Sequence, residues 1–154
     1  SEEVFHIPGN KYTYKQANAV CKAFDAELAN YSQIEEAYNG GGEWCSYGWS
    51  ADQMALFPTQ KVTWEKLQNK SKCGTNSDCG RPGVNGGYMA NPNVRFGVNC
   101  YGIKPDETDK LKSLKNPFPK TKDEREVERL ALKYKKQINK LKLSPFNREN
   151  WKRV

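Results

Sequence analysis

The most informative run of this sequence is Cys45-Ser46-Tyr47-Gly48-Trp49-Ser50-Ala51-Asp52, followed later by Asp78-Cys79-Gly80-Arg81-Pro82-Gly83-Val84. A cysteine before a glycine-tryptophan pair, with a second cysteine-glycine pair in a glycine-rich stretch, indicates a covalent framework rather than a catalytic motif. Small domains with many turns bury a modest core and gain stability from cross-links. The pattern therefore predicts a stapled, loop-rich domain around a buried tryptophan, which is typical of recognition and assembly modules.

Charge divides the 154-residue chain into two unlike parts. Residues 1–100 contain nine Lys or Arg and ten Asp or Glu, whereas residues 101–154 contain sixteen and eight, so balances of −1 and +8 make up the net charge of +7. Arguments about anionic partners therefore apply to the tail. Because its lysines alternate with glutamates and it lacks a groove-reading motif, we do not expect nucleic acid as a partner.

The sequence contains no apolar run that approaches the roughly 18–20 residues needed to span a bilayer. It begins at Ser1 rather than at a methionine. A leader or a membrane anchor that precedes this sequence is compatible with that start, so contact with a membrane through such an anchor is one expectation.

The first hundred residues read as short helices and strands. Thr13 with Gln16, and Ser32 with Glu35, have capping-box spacing and predict two helix starts. Gly40-Gly41-Gly42 is expected to end the second helix. From residue 43 to residue 102, aromatic residues between turn signals indicate strands and long loops. The fold class predicted from these elements is α+β.

The last third of the chain differs in character. Residues 103–121 are predicted to form a charged linker with prolines, and residues 122–154 a basic amphipathic helix with an aromatic tail. The helix is expected to run from Lys122 to Leu143. Its apolar stripe has three options: the first domain, a neighbouring subunit or the underside of a protein shell. Our prediction is a partner protein, and the candidate docking residues are Val127, Leu130, Tyr134, Ile138 and Leu141, with Phe146 and Trp151 in the tail.

An ordered set of anchors between about Val4 and Gly102 resembles the Link module, a branch of the C-type lectin-like fold. The resemblance implies one domain over residues 1–102, with two short helices and two small antiparallel sheets around a hydrophobic core. It also implies the usual activity of that family, which is binding of hyaluronan in animal matrix. The anchors are Val4-Phe5-His6, Thr13-Tyr14, Ala17 and Cys21, Ala29 with Tyr31 and Ile34, Cys45-x-x-Gly48-Trp49-x-Ala51, Phe57-Pro58, Cys79-Gly80 and Asn99-Cys100-Tyr101.

The family pairing joins the first cysteine to the last and the middle two to each other. Carried over by resemblance, it implies the bridges Cys21–Cys100 and Cys45–Cys79. Cys73 is then the odd cysteine, within an insertion that the usual module lacks, and a Cys45–Cys73 bridge is the open alternative.

The same resemblance implies candidate glycan-binding residues. Hyaluronan is a polyanion, so its binders need aromatic faces for sugar rings and Lys or Arg for carboxylates. The family's groove aromatics fall at Phe57 and Tyr88. Together with Lys11, Tyr12 and Arg81, they make up the predicted contact set.

A second resemblance points to proteins encoded by large DNA viruses of algae and protists. It rests on a single Link-like domain, on the runs 54–60 and 91–102, and on a basic helix ending in Ser144-Pro145-Phe146-Asn147. The first functional prediction is therefore a structural virion component, such as a minor capsid or capsid-associated protein, whose partners are other subunits. The alternative is a secreted or membrane-anchored glycan-binding protein, outside the cell.

Catalysis is not expected in either case. His6 is the only histidine, and its place in a strand-like run predicts a packed, hydrogen-bonded core residue rather than a general base. No serine or cysteine has a credible base beside it, and no glycine-rich phosphate loop precedes a helix. Zinc on Cys73 and Cys79 is disfavoured by their spacing and by the lack of a nearby histidine. We predict a non-enzymatic protein without cofactor or metal.

Overall fold

A computed structural model describes residues 1–70, 78–103 and 121–143 of the chain. Cys73, residues 104–120 of the predicted linker, and the tail residues Phe146 and Trp151 lie outside the described residues.

Short strands alternate with helices along the first 103 residues. The strands are β1 Glu2–Tyr12, β2 Glu27–Leu28, β3 Gly48–Ser50, β4 Met54–Thr59, β5 Gly83–Tyr88 and β6 Phe96–Ile103. The helices are α1 Tyr14–Ala23, α2 Tyr31–Asn39, α3 Lys61–Lys70 and α4 Lys122–Lys135, with 3-10 turns at Ala51–Gln53 and Ile138–Lys140. The α+β fold class predicted from the sequence is confirmed.

The two leading helices begin at reciprocal caps. The Thr13 hydroxyl accepts a bond from the Gln16 backbone N–H at 3.3 Å, and the Gln16 side chain accepts one from Thr13 N–H at 2.9 Å. The α2 cap predicted at Ser32 is wrong, because Asn30 and Gln33 form the same box two residues earlier, at 2.8 and 2.9 Å. Asn is as good a cap as Ser, and Gln33 is three residues after Asn30, so the helix is capped at Asn30.

The strand β6 has three partners in the sheet, more than any other strand. The strand order is β1-β6-β3-β4-β5, with β2 also paired to β6. On one side β1 runs antiparallel, with Phe5 opposite Cys100, and on the other β3 runs parallel, with Gly48 opposite Gly97. The resemblance implied two small antiparallel sheets. The short parallel pairing of β3 with β6 joins them into one six-stranded sheet.

Trp49 is the middle of the larger core cluster and is fully buried. Its indole N–H is shared between the carbonyl oxygens of Tyr12, at 3.0 Å, and Val94, at 3.1 Å. The ring meets Phe96 edge-on at a centroid distance of 5.1 Å. A buried indole needs such a partner for its N–H, and the prediction of a buried tryptophan is confirmed.

A second buried centre is the side chain of Asn99 in β6, which is fully buried. Its amide Nδ2 donates to the carbonyl oxygens of Gly48 and Leu56 and to the hydroxyl of Ser50, at 2.9–3.2 Å. Its Oδ1 lies 2.8 Å from His6 Nδ1. Since Nδ2 supplies all the donors, Oδ1 is the acceptor and the imidazole carries its proton on Nδ1. One side chain thus ties β6 to β1, β3 and β4.

Gly48 is required at its position by Asn99. A Cβ built on Gly48 would collide with the Asn99 amide. Any larger residue would push this side chain away from the carbonyl groups that it bonds, so the glycine of the Gly48-Trp49 pair serves the buried amide.

The helix α4 packs on the rest of the described fold. Val127 is buried, while Tyr134, Ile138 and Leu141 pack against the cluster around Trp49. The Tyr134 ring meets Tyr12 edge-on at 5.8 Å. The prediction that this stripe docks on a partner is therefore wrong for these four residues, because the chain's own core takes the partner's place.

The helix is also shorter than predicted. It ends at Lys135, and the 3-10 turn Ile138–Lys140 follows in place of a continuous helix to Leu143. The change of geometry lets Ile138 and Leu141 reach the core, so tertiary packing overrides the helical pattern. Leu130, the remaining member of the predicted stripe within α4, is half-buried.

Replacement of Asn99 by Ala is expected to destabilise the protein by about 3–4 kcal/mol, because several buried polar groups lose a partner at once. The midpoint of urea unfolding at pH 7 measures this loss. Asn39→Ala, at the exposed end of α2, is the control and is expected to change stability by less than about 0.5 kcal/mol. Similar midpoints for the two variants would contradict the role given to Asn99.

His6 is expected to make stability depend on pH. Burial lowers its pKa from 6.5 to about 4, partly opposed by its bond to Asn99. Between these values the unfolded chain binds the proton that the folded chain refuses. The contribution of neutral His6 to the free energy of unfolding is therefore fully present above pH 6.5. It falls by about 3 kcal/mol as the pH drops to about 4.

Urea unfolding at several pH values between 5 and 6.5 tests this dependence, since the chain has a single histidine. His6→Gln keeps a donor for Asn99 and removes the titration, so its stability is expected to be flat over this range. An equal slope in both proteins would show that another group is responsible.

Candidate functional site

The disulfide Cys45–Cys79 joins two loops at one end of the sheet. Its Cα atoms lie 4.9 Å apart, and it connects the loop before β3 to the turn before β5. The other bridge, Cys21–Cys100, ties α1 to β6 inside the core, with Cα atoms 5.4 Å apart. These are the two pairs that the family resemblance implied. Cys45 is therefore not bonded to Cys73, which lies outside the described residues.

The turn that follows Cys79 is held by side chains of the neighbouring strands. Thr59 Oγ1 donates to the Cys79 carbonyl oxygen at 2.6 Å. The Asn85 amide bonds both backbone groups of Arg81, with Oδ1 accepting from N–H and Nδ2 donating to the carbonyl, each at 2.9 Å. Gly80 has φ +66°, and a Cβ there would strike the Asn85 amide. The backbone of Arg81 is thus fixed while its side chain is exposed.

Tyr47, two residues after Cys45, is the exposed aromatic ring of this region. It is 42% exposed. Its ring meets Phe57 edge-on at 4.7 Å and tilts against Phe96 at 5.6 Å. Its carbonyl oxygen accepts a bond from Gly97 N–H at 3.1 Å. Two buried or half-buried rings therefore support Tyr47 from behind, and the rest of its ring is open to solvent.

Gly86 lets β5 approach this ring. Its φ of +101° lies in the region that favours glycine, and a Cβ would overlap the Ala55 carbonyl oxygen and stand 3.0 Å from the Tyr47 ring. A side chain here would displace the edge strand or the tyrosine, so the glycine keeps the surface beside Tyr47 flat.

Two cationic residues, Lys11 and Arg95, adjoin the sheet pair Tyr12 and Phe96 in the chain. The Arg95 guanidinium donates to the Lys11 carbonyl oxygen at 2.7 Å and to Gln16 Oε1 at 3.2 Å. The side chains of Lys11 and Arg95 are both exposed. We call Lys11, Tyr47, Arg81 and Arg95 the aromatic–cationic surface. Tyr47 rests on Phe96, the chain neighbour of Arg95, and the Cys45–Cys79 bridge ties the loop of Tyr47 to the turn of Arg81.

The five predicted glycan contacts do not come together as one set. Lys11 and Arg81 belong to the aromatic–cationic surface. Tyr12 and Phe57 are each only 5% exposed, so neither offers a ring face to a sugar, and we remove both from the contact set. Tyr88 is 68% exposed. It stands opposite Met54 in the sheet, three residues and about 10 Å along β5 from the residue that faces Phe57.

Sequence reasoning missed Tyr47 and Arg95. Tyr47 stands two residues before Trp49, so strand alternation puts both on one face and could have indicated a ring at the end of the aromatic core. Arg95 carried no local signal, because its neighbours Lys11 and Gln16 are about 80 positions away and meet it only in the fold.

The residues that the sequence analysis considered for zinc and for proton transfer have other partners in the fold. In the ranges 1–70, 78–103 and 121–143, no three His, Cys, Asp or Glu side chains gather as ligands of a metal. Cys79 is bonded to Cys45, so its sulfur is not free to bind zinc. His6 is 1% exposed and bonded to Asn99, which confirms the prediction of a packed core residue. None of the helices in these ranges is long and apolar enough to cross a bilayer.

Residues 3–101 match the model of a known family, the extracellular link domain. The match covers more than half of the chain and includes both disulfides, the Gly48-Trp49 pair and the strands of the sheet. The chain therefore belongs to the extracellular link domain family.

Several curated relatives are versican core proteins. The chain is 33% identical to that of Bos taurus over 110 residues, which are 66% of this chain and 3% of the relative. It is 37% identical to that of Rattus norvegicus over 111 residues, or 67% of this chain and 4% of the relative. The chain thus spans a small fraction of these relatives' length. None of these findings supports the resemblance to proteins of large DNA viruses.

Proposed function

We propose that this chain is a non-enzymatic recognition module that binds an acidic polysaccharide of the hyaluronan type outside the cell. The proposal takes the ligand class from the Link family and the position from the aromatic–cationic surface. The observation that carries it is the pair of Tyr47 and Arg81 on two loops stapled by Cys45–Cys79.

The chemistry of this surface suits an acidic sugar. An exposed tyrosine ring can stack on the apolar face of a pyranose while its hydroxyl bonds to water or sugar. Arginine presents a planar fork that matches a carboxylate with two parallel hydrogen bonds. Because hydrogen bonds hold the backbones of both residues in place before binding, little backbone conformational entropy remains to be lost.

The compartment follows from the same features. Two disulfides are retained in oxidising surroundings and are rare in the cytosol. The name of the matching family also describes an extracellular domain. Both support the extracellular alternative of the sequence-based predictions.

The virion role, which was the first functional prediction, has no support from the family match or from the relatives. That role rests on the resemblance to viral proteins, and it assigns the apolar stripe of α4 to docking on other subunits. That stripe packs within the chain, as Val127 and Tyr134 show. We therefore prefer the glycan-binding function, and the division of the chain at residues 102 and 122 stays a prediction.

Replacement of Tyr47 by Ala, or of Arg81 by Gln, is expected to lower the affinity for hyaluronan oligosaccharides about tenfold, which corresponds to about 1.4 kcal/mol. The reason is the loss of a stacking face in one variant and of a carboxylate partner in the other. Isothermal titration calorimetry on the full chain measures both.

Tyr31→Ala is the matched control for the tyrosine, because Tyr31 is 43% exposed but lies on α2. Lys66→Gln on α3 removes one exposed positive charge in the same way as Arg81→Gln. Neither control is expected to change the affinity. Saturable binding that survives Tyr47→Ala and Arg81→Gln would place the ligand elsewhere, and no binding by the unaltered chain would refute the function.

A further inference from the structure

The outward face of α4 carries a row of five cations. An α-helix turns about 100° per residue, so these five side chains fall within about 80° of one another around the axis. No carboxylate stands in that sector, and every member of the row is exposed to solvent. The row, here called the α4 basic row, is Lys122, Arg125, Arg129, Lys133 and Lys136.

The packing of α4 sets the direction of this row. Val127 and Tyr134 face the core and lie about 150° around the helix from the centre of the row. Two acidic residues are drawn toward α1, since Lys15 Nζ lies 2.9 Å from Glu126 and 3.7 Å from Asp123. The docked helix therefore turns its basic row to solvent, while two of its acidic residues pair with Lys15 of α1.

The linear sequence conceals this separation. Read in order, lysines and arginines alternate with glutamates, and the segment resembles an ordinary solvated helix. Only the helical geometry, with the apolar stripe docked, brings the five cations together in one exposed row, with Glu126 at its border and paired with Lys15. The docked helix therefore presents a basic row that the linear order of charges does not reveal.

The basic row is suited to an anionic polymer. Arg125, Arg129 and Lys133 are spaced four residues apart, a spacing at which like charges repel and destabilise a helix. A polyanion laid along the helix would relieve that repulsion. The row is about 21 Å long, with a cation about every 5 Å, which suits a polymer with an anionic group on every sugar.

Two other polyanions fit less well. An amphipathic helix binds a membrane by burying its apolar face among the lipids, but here that face is already covered by the core. Nucleic acid is disfavoured because the two disulfides indicate an oxidising, extracellular setting.

We propose that the α4 basic row is a second glycan-binding surface, separate from the aromatic–cationic surface and specific for a highly sulfated polysaccharide. Hyaluronan carries one carboxylate for every two sugars, so its charge density matches the row poorly. The choice of a polysaccharide rests on the proposed function, whereas the position of the surface rests on the geometry of α4.

The test measures binding of heparin oligosaccharides to the full chain at a series of salt concentrations. The variant is Arg125→Gln with Arg129→Gln and Lys133→Gln, since glutamine is a good helix former and circular dichroism should show an unchanged fold. We expect at least a tenfold loss of affinity at low salt. The slope of log K against log salt concentration should also become shallower by about two to three.

The matched control is Lys61→Gln with Lys66→Gln and Lys70→Gln, which removes the same charge from exposed positions of α3. An equal loss in this control would overturn the proposal, because net charge alone would then explain binding. An unchanged salt slope in the α4 variant would overturn it as well.

Two further measurements separate this proposal from the first. Tyr47→Ala should weaken hyaluronan binding and leave heparin binding unchanged, whereas the α4 variant should do the reverse. If the chain binds no hyaluronan but its heparin binding depends on α4, the α4 surface stands and the first function fails. Duplex DNA that binds as tightly as heparin, with the same loss in the α4 variant, would overturn the assignment to a polysaccharide.

Discussion

The fold depends on one buried amide. A primary amide without water must use its oxygen and both its hydrogens, and an unused group would cost more than the bonds contribute. Asn99 meets this condition only when β1, β3 and β4 all lie in place around β6. It therefore specifies the arrangement of the sheet as much as it stabilises it.

The surface that we assign to ligand binding is built outward from this arrangement. β3 and β6 start side by side, so Tyr47 and Phe96 meet where the sheet ends. The Cys45–Cys79 bridge then fixes the adjoining turn at a distance from the buried amide. The core thus sets the position of the strands. The disulfide then fixes the two loops that it joins, which bury few apolar side chains themselves.

Much of the fold could be predicted from short-range signals. The cysteine and glycine-tryptophan spacing indicated the family, and the Thr13 box marked the first helix. The rest depended on contacts between distant residues. Alternation cannot tell that Phe57 lies beneath Tyr47, or that the stripe of α4 is covered by the chain's own core. Tyr12 looked like a surface residue because its cover, Tyr134, comes more than a hundred residues later.

The strand with the most partners, β6, is also the last strand of this sheet along the chain. β6 pairs with β1, β2 and β3, and it spans Phe96–Ile103. When a ribosome has made only the first ninety residues, these three strands are already present but the strand that pairs with all of them is not. Pairings across such separations form slowly, and incomplete sheets aggregate. The nascent chain thus has to wait, with its thiols still unpaired across Cys21 and Cys100, until β6 has left the exit tunnel, and chaperones and oxidoreductases would meet it at that stage.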